Sequence, residues 1–171
     1  MNFRQSVINH IEITKQKSLD DFKNIIKETD KTIFVFGNGG SSALASHFAN
    51  DIAKTLNKKI ALFSDASLVT CFSNDYGYEN AVSKFLDRYE DDSILAIIIS
   101  SSGNSRNIIN LVDHCINRNI DFIGLSGMDK DCYLRAKSLE HGLLSFHVDS
   151  RMYSTIESVH FVLLHSVCDE I

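Results

Sequence analysis

Three short apolar runs set the limits on what this chain can fold into: Thr32-Ile33-Phe34-Val35-Phe36, Ile94-Leu95-Ala96-Ile97-Ile98-Ile99 and Ile120-Asp121-Phe122-Ile123-Gly124-Leu125. Each is rich in branched or aromatic residues and is followed by Gly, Ser or Asn. Near-continuous apolar runs of this kind belong to strands buried on both faces, as in a parallel sheet covered by helices. Two weaker runs, Ile60 to Phe63 and Leu143 to Val148, bring the strand candidates to five. Helical spacing fills the intervals over Ser41 to Leu56, Tyr78 to Arg88, Ser105 to Arg118 and Met152 to Glu170. Strand and helix therefore alternate, which predicts an α/β fold with a doubly wound parallel sheet. Ahead of the first strand, Val7, Ile8, Ile11, Ile13, Leu19, Phe22 and Ile25 predict one or two amphipathic helices. The sequence has no proline and no linker-like stretch. Residues 1–171 thus read as one domain, a helical segment over 1–29 leading into a core over 30–171.

The net charge of -5 argues against nucleic acid, which calls for a basic face. It leaves room for a small anion, because a few oriented backbone amides hold a phosphate locally. Cys71, Cys115, Cys132 and Cys168 are scattered, with neither knuckle nor redox spacing, and read as reduced thiols. Met1 to Lys17 has no apolar core segment, so the expectation is a cytoplasmic protein without a membrane anchor.

Ligands of doubly wound sheets bind where strand ends run into helix starts. The first strong run passes into Gly37-Asn38-Gly39-Gly40-Ser41-Ser42 and then a helix. Glycines there let the backbone turn tightly and approach a ligand, and the exposed amides of the following helix favour an anion. Ser42 occupies the place of the third glycine of a dinucleotide fingerprint, and the Gly-Lys end of a nucleotide-binding P-loop is missing. Alone, this stretch could be a serine-capped tight turn. The second strong run, however, ends in Ser100-Ser101-Ser102-Gly103-Asn104-Ser105 and again opens a helix. Two such loops at strand ends of one small domain point to a phosphate held by neutral donors.

Gly37-Asn38-Gly39-Gly40-Ser41, a helix with His47-Phe48-Ala49, then Asn74-Asp75-Tyr76-Gly77, Ser102-Gly103-Asn104-Ser105, and finally Ile156-Glu157 with His165 eight residues later form an ordered set. In that order the chain resembles the phosphoheptose isomerases, members of the sugar isomerase (SIS) family. The resemblance implies a flavodoxin-like three-layer αβα sandwich with a five-stranded parallel sheet. It also implies a homotetramer with sites between subunits and a phosphorylated sugar, a ketoheptose 7-phosphate, as ligand. Substrate contacts carry over to Asn38, Gly39, Ser41, Asn74, Asp75, Ser100, Ser101, Ser102, Ser105 and Glu157, with serines 41, 100, 102 and 105 on the phosphate.

His47 and Asp51 lie one helical turn apart, a spacing that suits two metal ligands or an acid/base pair. Glu157 and His165 are separated by about 80° around the last helix, and spacing alone does not join them to the first pair. The resemblance does: it implies zinc or another divalent metal on His47, Asp51, Glu157 and His165. It further implies aldose–ketose isomerisation, with Asp51 as base and His165 as acid. The family has Glu at the place of Asp51, Gln at that of Glu157, and Arg at those of Thr55 and Thr155. Another phosphosugar as substrate is a second reading. A third is a non-catalytic SIS module that regulates replication initiation by binding protein. His10, His114, His141, His147 and His160 read as surface or core filler.

Overall fold

The computed structural model of the chain describes residues 2–169. Five strands, β1 (Thr32–Gly37), β2 (Ile60–Leu62), β3 (Ile94–Ser100), β4 (Asp121–Gly127) and β5 (Leu144–Val148), pair in parallel in the order β2-β1-β3-β4-β5. The three strong apolar runs are the three central strands, and β3 is buried along its whole length. The helices are α1 (Phe3–Glu12), α2 (Gln16–Glu28), α3 (Gly40–Leu56), α4 (Ala66–Tyr76), α5 (Tyr78–Leu86), α6 (Arg106–Asn117), α7 (Tyr133–His141) and α8 (Tyr153–Asp169). This is the flavodoxin-like αβα sandwich, whose strand order reverses between β1 and β3.

Each face of the sheet has its own core. On one, Phe22 of α2 meets Phe48 of α3 and Phe146 of β5 at ring-centroid distances of 6.1 and 5.6 Å, among buried residues of α3 and α8. On the other, Phe34 and Phe36 of β1 pack with Phe63, Phe85 and the apolar stripe of α6. Phe22 and Ile26 are fully buried, so the helical segment before β1 is part of the first core.

Helical spacing in the sequence misses α4 and α7. No residue of α4 is fully buried, although Leu68, Val69 and Phe72 rest on the second core. In α7 only Leu134 and Ser138 are buried, and Ser138 lies against Gly124 of β4, where the absence of a side chain lets the helix approach. Asn74 and Asp75 occupy the last turn of α4, which ends at Gly77 with φ of 77°. Among the described residues, no helix is long and apolar enough to cross a membrane.

His160, on α8, is a core residue. It is completely buried, and its Nε2–H donates to the Ser126 carbonyl at 3.0 Å. Burial disfavours the charged ring and pushes its pKa down to about 4. In the unfolded chain the same ring takes up a proton near 6.5. Between those values the unfolded form binds the extra proton, so stability falls as pH is lowered through that window. Urea unfolding of the wild type at pH 7, 5.5 and 4.5 should show this loss, and His160→Asn should flatten the slope by close to one proton. An unaltered slope in the variant would place the acid sensitivity elsewhere.

Candidate functional site

The loops after β1 and β3 stand side by side because those strands are neighbours, paired from Thr32–Ile94 to Gly37–Ile99. They diverge there, α3 passing to one face of the sheet and α6 to the other, and the gap forms a cleft of about 210 Å³. Gly39, Ser41, Ser100, Ser101, Ser102 and Ser105 line it together with Asn38, Gly40, Tyr153 and Glu157.

The cleft is built to donate hydrogen bonds. Gly39 adopts φ of 54°, a conformation that disfavours a side chain, and starts α3 with no side-chain cap. The first amides of α3 are thereby left open to the cleft. Ser105 starts α6 and likewise makes no capping bond with its side chain. Ser101 Oγ is buried without a protein partner, whereas Ser100 Oγ accepts from Gly103 N at 3.1 Å and Ser102 Oγ from Asn104 N at 3.4 Å. The second loop is held from behind by α7. Leu134 N donates to the Gly103 carbonyl, Tyr133 N donates to Asn104 Oδ1 at 2.8 Å, and Gly103 at φ of 65° leaves room for Cys132.

A second group lies two turns down α3. His47 Nε2 is 3.3 Å from Asp51 Oδ2, and His165 Nδ1, from α8, is 3.7 Å from the same oxygen. The two imidazoles meet edge-on at 5.0 Å, and Phe161 packs on both at 5.2 and 4.2 Å. One ligand atom from each of His47, Asp51 and His165 fits within 4.8 Å of the others. Two imidazoles and a carboxylate suit zinc or a similar divalent cation and leave a coordination position open for a substrate oxygen. His165 and Asp51 are about one-third exposed at the side chain and His47 about one-half, so the trio faces outward.

In the single chain, two groups of expected site residues lie apart from where the resemblance puts them. Glu157 does not join the metal trio. It lies two turns from His165, about 12 Å along the helix axis, and its carboxylate is pressed against Gly40, where a Cβ would come within 2.4 Å of Oε1. The positive end of α3 favours a carboxylate at that place. Asn74 and Asp75 do not line the cleft. They are exposed on α4, where Asn74 Nδ2 donates to Asp75 Oδ1 at 3.1 Å. From the same corner it is Tyr78 that reaches the first loop, through a hydrogen bond from its hydroxyl to Asn38 Oδ1 at 2.8 Å. Tyr78, Asn107 and Tyr153 escape a reading of the sequence, since no spacing rule marks them.

The SIS domain family matches residues 3–127. The phosphoheptose isomerase of Colwellia psychrerythraea is 36% identical over 142 residues, spanning 78% of this chain and 70% of the relative. That of Shewanella denitrificans is 33% identical over 150 residues, spanning 82% and 74%. The chain belongs to the SIS family, among the phosphoheptose isomerases. The structure of the phosphoheptose isomerase from Neisseria gonorrhoeae superposes with a TM-score of 0.86 at 28% identity, covering 99% of this chain and 94% of that one. A second, from Francisella tularensis, shares the fold with a TM-score of 0.83.

Glu157 brings a negative charge to a cleft otherwise lined by neutral donors. A like charge within a few ångströms of a bound phosphate opposes it by about 1 kcal/mol in a solvated site. Glu157→Gln should therefore bind inorganic phosphate about three- to tenfold more tightly in a calorimetric titration at pH 7.5. Unchanged or weaker binding would mean that the carboxylate does not face the anion.

Proposed function

We propose that this isomerase interconverts sedoheptulose 7-phosphate and D-glycero-D-manno-heptose 7-phosphate, in the cytoplasm, supplying heptose precursors for surface glycans. One observation carries the reading: α3 begins at the anion-receiving cleft and bears His47 two turns on and Asp51 three turns on, both members of the His47–Asp51–His165 trio. In this reading the cleft takes the phosphate end of the ligand and the trio acts on its carbonyl end. The relatives are phosphoheptose isomerases, which supports a phosphorylated heptose as the substrate class. A non-catalytic module has no use for two imidazoles gathered on one carboxylate, which favours the enzyme.

The phosphate end is held by the amides at the start of α3 and by Ser41, Ser101 and Ser105. Binding there orients the carbonyl end, so that the bimolecular proton transfer becomes a positioned one. Asp51 removes a proton from C1 of the ketose, and the electron pair moves into an enediol spanning C1 and C2. His165 moves the hydroxyl proton between O1 and O2, and the carbon-bound proton is returned to C2 to give the aldose. A divalent cation held by His47, Asp51 and His165, zinc by family resemblance, supplies polarisation of the carbonyl when bound. His47 and Phe161 keep the His165 ring in place through the edge contacts described above.

The assembly that fits is a homotetramer. Phe3, Ile8 and Ile13 of the N-terminal segment are 45, 44 and 72% exposed, an apolar surface suited to a second copy of the chain.

Asp51→Asn tests the assignment of the base. It should lower kcat on sedoheptulose 7-phosphate by at least about a hundredfold while leaving inorganic phosphate affinity close to wild type. Equal turnover of variant and wild type would remove Asp51 from the chemistry. Elemental analysis of the purified enzyme should find stoichiometric zinc or a related divalent ion, lost in His47→Ala. Full occupancy in that variant would place the ion on other residues.

A further inference from the structure

The turn after β1 is tied down by side chains that a bound phosphate does not account for. Asn38 Nδ2 donates to Asn107 Oδ1 at 3.0 Å, and Asn107 Nδ2 donates back to Asn38 Oδ1 at 2.8 Å. Tyr78 OH donates to the same Asn38 oxygen at 2.8 Å. Asn107 is only 3% exposed, so its amide depends on partners within the protein, and Asn38 supplies both bonds. Asn38 Oδ1 then has two donors and Nδ2 keeps one N–H beyond the pair.

The three residues come from three separate pieces of chain. Asn38 is on the loop after β1, Asn107 is in the first turn of α6 after the serine loop, and Tyr78 opens α5 directly after Gly77. The amide pair spans the two loops of the cleft. By itself it is a two-point contact, free to rock about the line joining its bonds. The tyrosine hydroxyl adds a third point from a different helix and removes that freedom. The Tyr78 ring is half exposed, at 51%, so its packing contribution is small and its hydroxyl is the part that engages the site.

We propose that Tyr78 is a positioning residue: acting through Asn38, it sets the spacing between the two phosphate loops and hence the affinity for the phosphate end of the substrate. The inference rests on the phosphosugar reading of the cleft and extends it to a residue outside the cleft wall. A hydroxyl that only holds a loop should affect binding, which is the same in ground and transition states, and not the proton transfer at the far end of the sugar.

The test is Tyr78→Phe, which removes one hydroxyl from an exposed ring and leaves the core untouched. Amide exchange of residues 38–42 in the ligand-free protein should accelerate about three- to tenfold, the range expected for one lost neutral hydrogen bond. KM for sedoheptulose 7-phosphate should rise by a similar factor with kcat changing less than twofold. In an Asn38→Ala background the same substitution should change neither quantity further. Unchanged exchange, faster exchange without a rise in KM, a loss confined to kcat, or a persisting effect in the Asn38→Ala background would each overturn the proposal. A wild-type protein inactive on this sugar would instead overturn the isomerase reading, and the exchange comparison would still decide the role of Tyr78.

Discussion

The strand-order reversal between β1 and β3 is the constraint on which the rest of this molecule depends. Adjacent parallel strands whose outgoing helices leave to opposite faces cannot close the space above them. What lines that space is backbone at two helix starts, α3 and α6, with their unpaired amides. The burial of all seven residues of β3 holds the two loops at one sheet spacing, and positive φ at Gly39 and Gly103 shapes each turn. An anion site follows from topology and backbone before any charged side chain is considered. This reconciles a phosphate ligand with an acidic chain of net charge -5: the cleft relies on dipoles and hydroxyls, and Glu157 is the one acidic residue in its lining.

The second half of the site depends on how α3 and α8 lie together. Both helices follow strands of one parallel sheet, so they run the same way, and their contacts progress in step. Gly40 meets Glu157 near their starts, His47 meets Phe161 and His165 further along, and Asp51 meets His165 beyond. This pairing sets the two parts of the proposed site apart along the helix pair, the cleft at the helix starts and Asp51 about three turns below. It also explains why Glu157 and His165 part company: eight residues along a helix separate them by about 80° around the axis and about 12 Å along it. The carboxylate of Glu157 remains with the positive helix end, where the family's neutral Gln carries no charge.

Much of the fold was legible because its signals are local. Strands buried on both faces leave unbroken apolar runs, and β1, β3 and β4 were visible on that ground alone. The amphipathic helices α3, α5, α6 and α8 were visible by period. The helices missed, α4 and α7, are those that contribute little to the cores, so selection for burial left no strong stripe in them. For the site, His47 with Asp51 could be paired from spacing because one helical turn joins them. The serine loop and the glycine loop could be read as anion-binding because glycine and hydroxyl content is a local signal too.

Sequence by itself therefore determined the fold class, the two loops of the cleft and the pairing of His47 with Asp51, all of which rest on interactions within a few residues. The tertiary structure alone decided which distant groups meet. It brought His165 to Asp51 across 114 residues of chain, left Glu157 at Gly40, and turned Asn74 and Asp75 away from the cleft. It also tied Asn38 to Asn107 and Tyr78. The physical reason is the same in each case. Such encounters depend on helix height, register and the direction in which a side chain leaves its element, and these are fixed by packing between elements rather than by the order of residues within one.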